Sequence, residues 1–445
     1  MAKNSLFIII GLFLNVASYS QNAPVTIEEV ATKFYNTYAI SRQNPNVFFE
    51  KRARQWNVRS MTFEGTDMVA GNVYLFFDAD SGGYKKLPFN LKADTQYVDF
   101  NEFVDSYQIS DFHLHKYYGY DGWYDDVIAD LSGKKQLSDS SLYSLGRAYS
   151  TKANALLSNQ FGDALKSEIF NMPMTRNCMT SDQMAKYTSV EAKAIHCFYE
   201  LEEQNKNFQT IVGNIAIKSA NEVMVEYHTF LTYADSFAES FSLPDHLYPD
   251  SVIEKAQHVL EKCPRDAILL SLGDNDFYPI LYLQHRMGVR KDVYLINEIL
   301  IGVDRYIYRI SQPQFESKPI KLSVSYEKYR DNINDYLMLK DSASSIPFSS
   351  VIDSIQSGRR NEYGVLTIPG KEFIIKRTTG KTNRVHDDVI HFKKTNAYLL
   401  KNEWVLLDII NNLQGRRLCC QTPLFDALLP LNAYFIQVDD NLYLF

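Results

Sequence analysis

The sequence predicts a mixed fold, α/β or α+β, and three observations carry that expectation. Amphipathic helical patterning runs through roughly 136–245. Beyond it, two short apolar runs flank a helix-like segment in "DAILLSLGDNDFYPILYLQHRMGVRKDVYLIN" (266–297), the pattern of a βαβ unit. The chain closes on "AYFIQVDDNLYLF", a β-hairpin pattern. At 445 residues, with 45% hydrophobic and 22% charged residues, the chain can bury a large core and is not of disordered composition. The formal net charge of −7 includes no basic stripe, which argues against a nucleic-acid partner.

The elements follow in order. Residues 6–17, LFIIIGLFLNVA, follow Lys3 and precede the small-x-small pattern Ser18-Tyr19-Ser20, so 1–20 reads as a secretory signal peptide. The run is short for a span of about 20 residues, which favours cleavage over anchoring. No later stretch is long enough to span a bilayer. The expected location is therefore outside the cytoplasm, periplasmic, outer-membrane-associated or extracellular, with a mature chain that does not span the membrane. Residues 21–135 form an expected mixed α/β region. It opens on a helix over 26–41 with Thr26 as N-cap and Glu28 and Glu29 in the first turn. "NVYLFFDADSGGYKKLPFN" is a β-like run followed by a Gly-Gly turn. "YYGYDGWYDD" offers Tyr117, Tyr118, Tyr120, Trp123 and Tyr124 either as an aromatic platform for sugar or peptide or as helix-packing core.

Residues 136–245 have the texture of tetratricopeptide-like helical pairs, without a clean 34-residue period. "DSSLYSLGRAYSTKANALLS" (139–158) is the first of these helices. Ile195, Phe198 and Tyr199 mark the apolar face of one further helix, and Val223, Tyr227, Phe230 and Leu231 that of the next. After the proline-containing connection "SLPDHLYPD", 246–445 forms the expected α/β domain. Its elements are a helix at 251–262, a strand at 267–272, a helix at 277–287, a strand at 292–297 and a helix near 303–311. β-rich runs at 318–324 and 364–376 follow, then a helix whose buried face is Leu406, Ile409, Ile410 and Leu413. The five cysteines, Cys178, Cys197, Cys263, Cys419 and Cys420, contain no CxxC pair and so do not read as a zinc site. One pair could bridge in an oxidising compartment, but small buried hydrophobes is the better reading. Cys419 and Cys420 sit in a strand pattern and should face opposite ways.

Two ordered motifs, GDND-x-x-P-x-x-Y-L-Q (273–284) and G-V-R-x-D-V-x-x-x-N (288–297), carry a resemblance. They resemble the soluble C-terminal region of a family of bacterial multi-spanning membrane proteins that are similar to protein O-mannosyltransferases. "KPIKLSVSYEKYRD" (318–331), "VLTIPGKEFII" (365–375) and "AYLLKNEWVLLDIINNLQGRRLCC" (397–420) match later blocks of that family in order, so the likeness spans about 245–445. The resemblance implies the fold of the tail. It does not imply glycosyl transfer, which in that family belongs to the membrane-embedded part.

The candidate site is the turn after the first strand of the βαβ unit. Asp274, Asn275 and Asp276 follow Gly273 at a strand's C-terminal end, where α/β sheets bind ligands, and Asn297 and Glu298 end the next strand. If Asp274, Asp276 and Glu298 converge, they suit a divalent cation such as Ca²⁺ or Mg²⁺, or sugar hydroxyls. The competing reading makes Asp276 the N-cap of a helix starting at Phe277, with Pro279 in its first turn. "ISDFHLH" (109–115) superficially resembles the D-x-H opening of metallophosphoesterases, but the rest of that motif set is absent. His386 and His391 are isolated, and no nucleophilic triad, P-loop or GxGxxG is present. The favoured expectation is an exported protein- or glycan-binding scaffold with no enzymatic role. The expected partner is an envelope protein or glycan, with a membrane glycosyltransferase among the candidates. The alternative is an envelope glycan-processing enzyme, or a glycosyltransferase accessory, using carboxylates at the GDND turn.

Overall fold

The computed structural model describes residues 26–42, 47–64, 67–81, 83–93, 97–102, 122–157, 179–330, 333–341, 345–362, 364–376, 389–421, 429, 431 and 434–445. Two compact units divide the chain, Met1–Gln136 and Leu137–Phe445. The described residues are mixed helix and strand in an α+β arrangement.

The first unit opens on α1 (Ile27–Thr37), held at its start by a capping box in which Thr26 and Glu29 satisfy each other's backbone N–H. An antiparallel sheet follows, β1 (Val47–Arg52), β2 (Gln55–Glu64), β3 (Asp67–Asp78) and β4 (Gly83–Tyr84), paired in that order. Phe34 of α1 packs edge-on against Phe49 and Phe76, at ring separations of 5.5 and 5.6 Å, so α1 covers one sheet face. A second helix, α2 (Trp123–Leu131), is tied to β1 by the Lys51–Asp126 ion pair.

The second unit begins with α3 (Asp139–Leu157), α4 (Ser181–Gln204) and α5 (Ile215–Tyr233), packed in succession. Gly146 lets α3 and α4 approach: a methyl there would come within 2.7 Å of the Phe198 ring. The buried stripe of α4 is Tyr187, Glu191, Ala194, Cys197, Phe198 and Leu201. This corrects the expected face, since Tyr199 is 39% exposed and Ile195 only partly buried. The expected stripe did not include Glu191, which is buried here. A short hairpin, β5 (Gln209–Thr210) and β6 (Gly213–Asn214), leads into α5.

After a single helical turn, Asp235–Ala238, come α6 (Asp250–Lys262), β7 (Ile268–Ser271), α7 (Asp274–Arg286), β8 (Tyr294–Asn297) and α8 (Asp304–Ile310). The segment 318–324, expected to be β-rich, is irregular chain. Pro319 lacks a ladder donor, and buried Ile320 and Val324 pin the segment to the core instead. Next are β9 (Tyr336–Leu339), β10 (Ile346–Pro347), α9 (Phe348–Ser357), β11 (Thr367–Ile368), β12 (Glu372–Lys376) and β13 (Val389–Lys393). β14 (Tyr398–Leu400), α10 (Lys401–Asn411), β15 (Leu418–Cys420) and the hairpin of β16 (Ile436–Asp439) and β17 (Leu442–Leu444) complete the chain.

The central sheet has the order β16-β17-β15-β7-β8, with β15, β7 and β8 parallel. Its parallel strands are buried on both faces, and successive residues enter different cores. Ile268, Leu270, Tyr294, Ile296 and Cys420 join a core with α10. Leu269, Leu295 and Cys419 join another with α5, α6 and α7. The helices and the α/β part therefore share one core. Two smaller three-stranded sheets, β10-β12-β13 and β11-β9-β14, lie on the α10 side.

Candidate functional site

The GDND turn is built at the end of β7. Gly273 stands at φ +72°, a conformation that costs an L side chain dearly, and it is the N-cap of α7. Phe277 N–H donates to the Gly273 carbonyl at 3.1 Å, so the helix starts at Asp274. Asp276 is therefore not the N-cap. Asp274 and Asp276 lie in the first turn, where carboxylates complement the helix dipole. Pro279 sits in the helix beyond that turn, which corrects the expected register.

The five candidate residues take different neighbours. Burial pushes the Asp274 carboxyl up, while nearby Lys218 pulls it down and Glu222 raises it again. Both of those neighbours are on α5. Asn275 joins the turn to the helical region: it accepts from Asn221 Nδ2 at 2.8 Å and donates to the Val212 carbonyl at 2.7 Å. Tyr248 OH donates to Asn221 Oδ1 at 2.8 Å and completes the relay. Asp276 faces Lys255, at 3.6 Å, on α6. Asn297 caps the following 3-10 turn, its Oδ1 accepting from Ile299 N–H at 3.1 Å. Glu298 is 2% exposed, one of its oxygens has no partner, and burial alone pushes it up to about 7. Asp274, Asp276 and Glu298 thus point to three separate surroundings. Among the described residues, no group of three or more His, Cys, Asp or Glu side chains is arranged to hold a metal ion.

The remaining motif residues hold the unit together. Tyr282 OH donates to the Pro244 carbonyl at 3.0 Å. Gln284 Nε2 donates to the carbonyls of Arg290 and Val293, at 3.0 and 2.8 Å. Arg290 makes a two-pronged pair with Asp292, at 2.8 and 2.9 Å. It also donates to the Leu260, Cys263 and Pro264 carbonyls, closing the open C-terminal end of α6. That pairing draws Asp292 down to about 2. In the aromatic segment, Trp123 is 7% exposed and packs at 6.4 Å from Tyr124, so Trp123 is core. Tyr117, Tyr118 and Tyr120, with "ISDFHLH" and His386, lie outside the described residues.

Sequence reasoning missed two features. The first is a buried polar seam between α4 and α5. Lys218 pairs with Glu222, while both oxygens of Glu191 and one of Glu222 have no hydrogen-bond partner. Burial, then Glu222 and Glu226, push the Glu191 carboxyl well above the usual carboxylate range. Burial raises Glu226 to about 7. Tyr187 OH donates to Thr229 Oγ1 at 3.1 Å along the same seam. On another side of α5, His228 meets the rings of Phe277, Tyr278 and Tyr306, and burial lowers it to about 3. The available signal was the run of charged residues inside stripes otherwise read as apolar.

The second feature is an open apolar face on the β11-β9-β14 sheet. Tyr336 is 46%, Met338 37%, Tyr398 42% and Leu400 39% exposed. Antiparallel register sets Tyr336 opposite Leu400 and Met338 opposite Tyr398, so all four share one face. Their strand neighbours Leu337, Leu339 and Leu399 fill the core beneath. The alternation of YLML gives the period but not which side water reaches.

The family model described as TMEM260-associated domain 2 matches residues 252–439. The match takes in α6, the GDND turn, the Arg290–Asp292 clamp and the apolar face, and is consistent with a C-terminal domain of that family. No curated protein matches the chain. No solved structure matches it. No helix among the described residues is long and apolar enough to cross a membrane.

Proposed function

We propose that the protein is an exported, non-enzymatic scaffold module of the cell envelope that docks an envelope protein through the Tyr336–Met338–Tyr398–Leu400 face. That face is the observation that carries the reading. Four large apolar side chains stand in water on one side of a sheet whose other side is fully packed. Clustered exposed apolar groups mark interaction surfaces, and tyrosine and methionine are enriched at the centres of protein interfaces. A membrane glycosyltransferase carrying the same kind of tail is one partner of the required type. The reading of a glycan-processing enzyme or glycosyltransferase accessory has less support, because its carboxylates diverge.

The test places a photo-crosslinking amino acid at Tyr398 in cells. One discrete protein adduct is expected, and it should be lost when Tyr336→Ser is added. A thermal-shift panel separates the alternatives, since a ligand at about 100 times its Kd adds about 2.7 kcal/mol. No adduct, with glycan fragments stabilising the parent chain but not Tyr336→Ser/Tyr398→Ser, would make the face a sugar platform. A shift with Ca²⁺, Mg²⁺ or a nucleotide sugar that Asp274→Asn abolishes would overturn the scaffold reading in favour of the enzyme.

A further inference from the structure

The seam between α4 and α5 is bracketed by two contacts. Tyr187 OH donates to Thr229 Oγ1 at 3.1 Å, and the Lys218 ammonium lies 4.6 Å from the centre of the Phe198 ring. Tyr187 and Phe198 are as far apart on α4 as Thr229 and Lys218 are on α5, so the helices lie antiparallel in one register. Lys218, Glu222, Glu226 and Thr229 follow one another at helical spacing and form a stripe of α5. Glu191 stands one turn after Tyr187 on the buried stripe of α4, which sets it level with Glu222 and Glu226. It is 1% exposed, and neither of its oxygens has a hydrogen-bond partner. Lys218 is taken by Glu222, whose other oxygen also lacks a partner. On the α3 side, Gly146 faces the Phe198 ring and Tyr149 lies under the Lys193 ammonium at 5.5 Å. That register brings half-buried Lys152 level with Glu191, but Lys152 gives Glu191 no hydrogen bond. Asp274, at the start of α7, neighbours Lys218 and Glu222. The stripe thus sets three carboxyls, Glu191, Glu222 and Glu226, against one lysine.

The helices on either side of this seam are fastened differently. α5 is held by the α/β part: Asn221 bonds Asn275, the Thr232 carbonyl accepts from Arg305, and His228 meets three rings. α3 and α4 are tied to each other, Asp139 accepting from Gln204 and Asn205 at 2.6 Å. The seam is therefore the plane at which the α3–α4 pair can part from the rest of the unit, with the Met179 N–H bond to the Tyr233 carbonyl breaking as it opens. We propose that Glu191 is a proton-operated latch on this plane: the α3–α4 pair stays closed on α5 while the carboxyl holds its proton, and parts from it when the proton leaves. The proton passes to a water or buffer base. The carboxylate left behind has no hydrogen-bond donor in the closed seam, and a sealed, unpaired charge is relieved only by reaching water. Burial, then Glu222 and Glu226, raise the Glu191 carboxyl, and Lys218 lowers it. The closed form thus keeps its proton at a pH where the open form has released it. Closure weakens as pH rises above the ordinary carboxyl range and levels off once the closed form has also lost the proton.

Amide hydrogen exchange of the full chain, read as protection factors between about pH 5.5 and 7.5, tests this. One released proton makes the protection of the α4 amides fall by up to about tenfold per pH unit. The α10 amides, in the other core, should stay better protected than those of α4 at every pH. In a Glu226→Gln background, which removes the other raised carboxyl of the stripe, the α4 slope should persist. Adding Glu191→Gln, of nearly the same size and without a titrating proton, should flatten it. A flat α4 profile in the parent would overturn the proposal without any substitution, so a variant that fails to fold cannot obscure it. Equal protection of α4 and α10 would make the opening global unfolding, and a slope that survives Glu191→Gln would assign the proton to another group. Either result would also overturn it. The profile is independent of the docking face, because it is read within α4 and can fail separately from the crosslinking.

Discussion

The GDND turn and the β11-β9-β14 face lie in the same unit and use their side chains in opposite ways. At the turn, polar groups are tied to the rest of the fold: Asn275 joins α5, Gln284 and Arg290 close carbonyls, and Asp276 meets Lys255. At the sheet face, apolar groups are directed outward and stand exposed among the described residues. A buried, satisfied polar network gives uniqueness of structure. An unsatisfied apolar face gives affinity for something else. The residues that look most like a site also hold the fold together, and the residues that look like a plain strand form the proposed docking face.

Removing the clamp should give the largest effect. Arg290→Ala frees the Leu260, Cys263 and Pro264 carbonyls and leaves Asp292 without its cation. A loss of about 3 kcal/mol is expected, read as a lower urea midpoint at unchanged m. A loss below about 1 kcal/mol would mean that water replaces the guanidinium at no cost, and the turn would lose its structural role.

The polar seam on α5 should respond in the other direction. Glu226 is raised from 4.5 to about 7 by burial. Between those values the folded state keeps a proton that the unfolded state has released, so this group makes stability fall as pH rises through the window and stay flat above it. Glu298 adds the same sign. His228, lowered from 6.5 to about 3, adds the opposite one, with stability lost as pH falls below the unfolded value. Comparing Glu226→Gln with the parent isolates one group. The substitution should stabilise by up to about 3 kcal/mol at pH 8 and by almost nothing at pH 4.5. Equal effects at both values would show that Glu226 does not titrate in this window.

How much of this was legible follows from what each segment buries. The continuous apolar runs of β7 and β8 are visible because both faces of these strands are buried, and Cys419 and Cys420 do face opposite cores. The Thr26 capping box is local, so four residues suffice to read it. The buried face of α4 was misread because Glu191 lies inside it, and an apolar count passes over a carboxyl whose pKa burial pushes up. The neighbours of Asn275 were not legible at all, since Asn221 and Val212 reach it only through the packing of α5 on α7. Asn275→Ala should cost about 2 kcal/mol, because two buried or half-buried groups lose partners. Asp276→Ala, which removes one contact at 3.6 Å to a largely exposed lysine, should cost under about 0.5 kcal/mol. If the two losses prove equal, the link from Asn275 to α5 contributes no more than the ion pair of Asp276 with Lys255.

The smallest stability effect is expected at the open face, and there it carries the most information. Tyr336→Thr and Tyr398→Thr keep a strand-forming residue and remove rings already about half in water. Each should change the unfolding free energy by less than about 0.5 kcal/mol. The inward neighbours Leu337 and Leu399 are fully buried, and truncating either to Ala should cost about 2 to 4 kcal/mol by leaving a cavity. Alternate residues of one strand would then separate stability from binding: the leucines lower the urea midpoint, and the tyrosines abolish the crosslinked adduct at an unchanged midpoint. A tyrosine variant as unstable as a leucine variant would mean that another part of the chain covers the face, and the docking surface would have to be sought elsewhere.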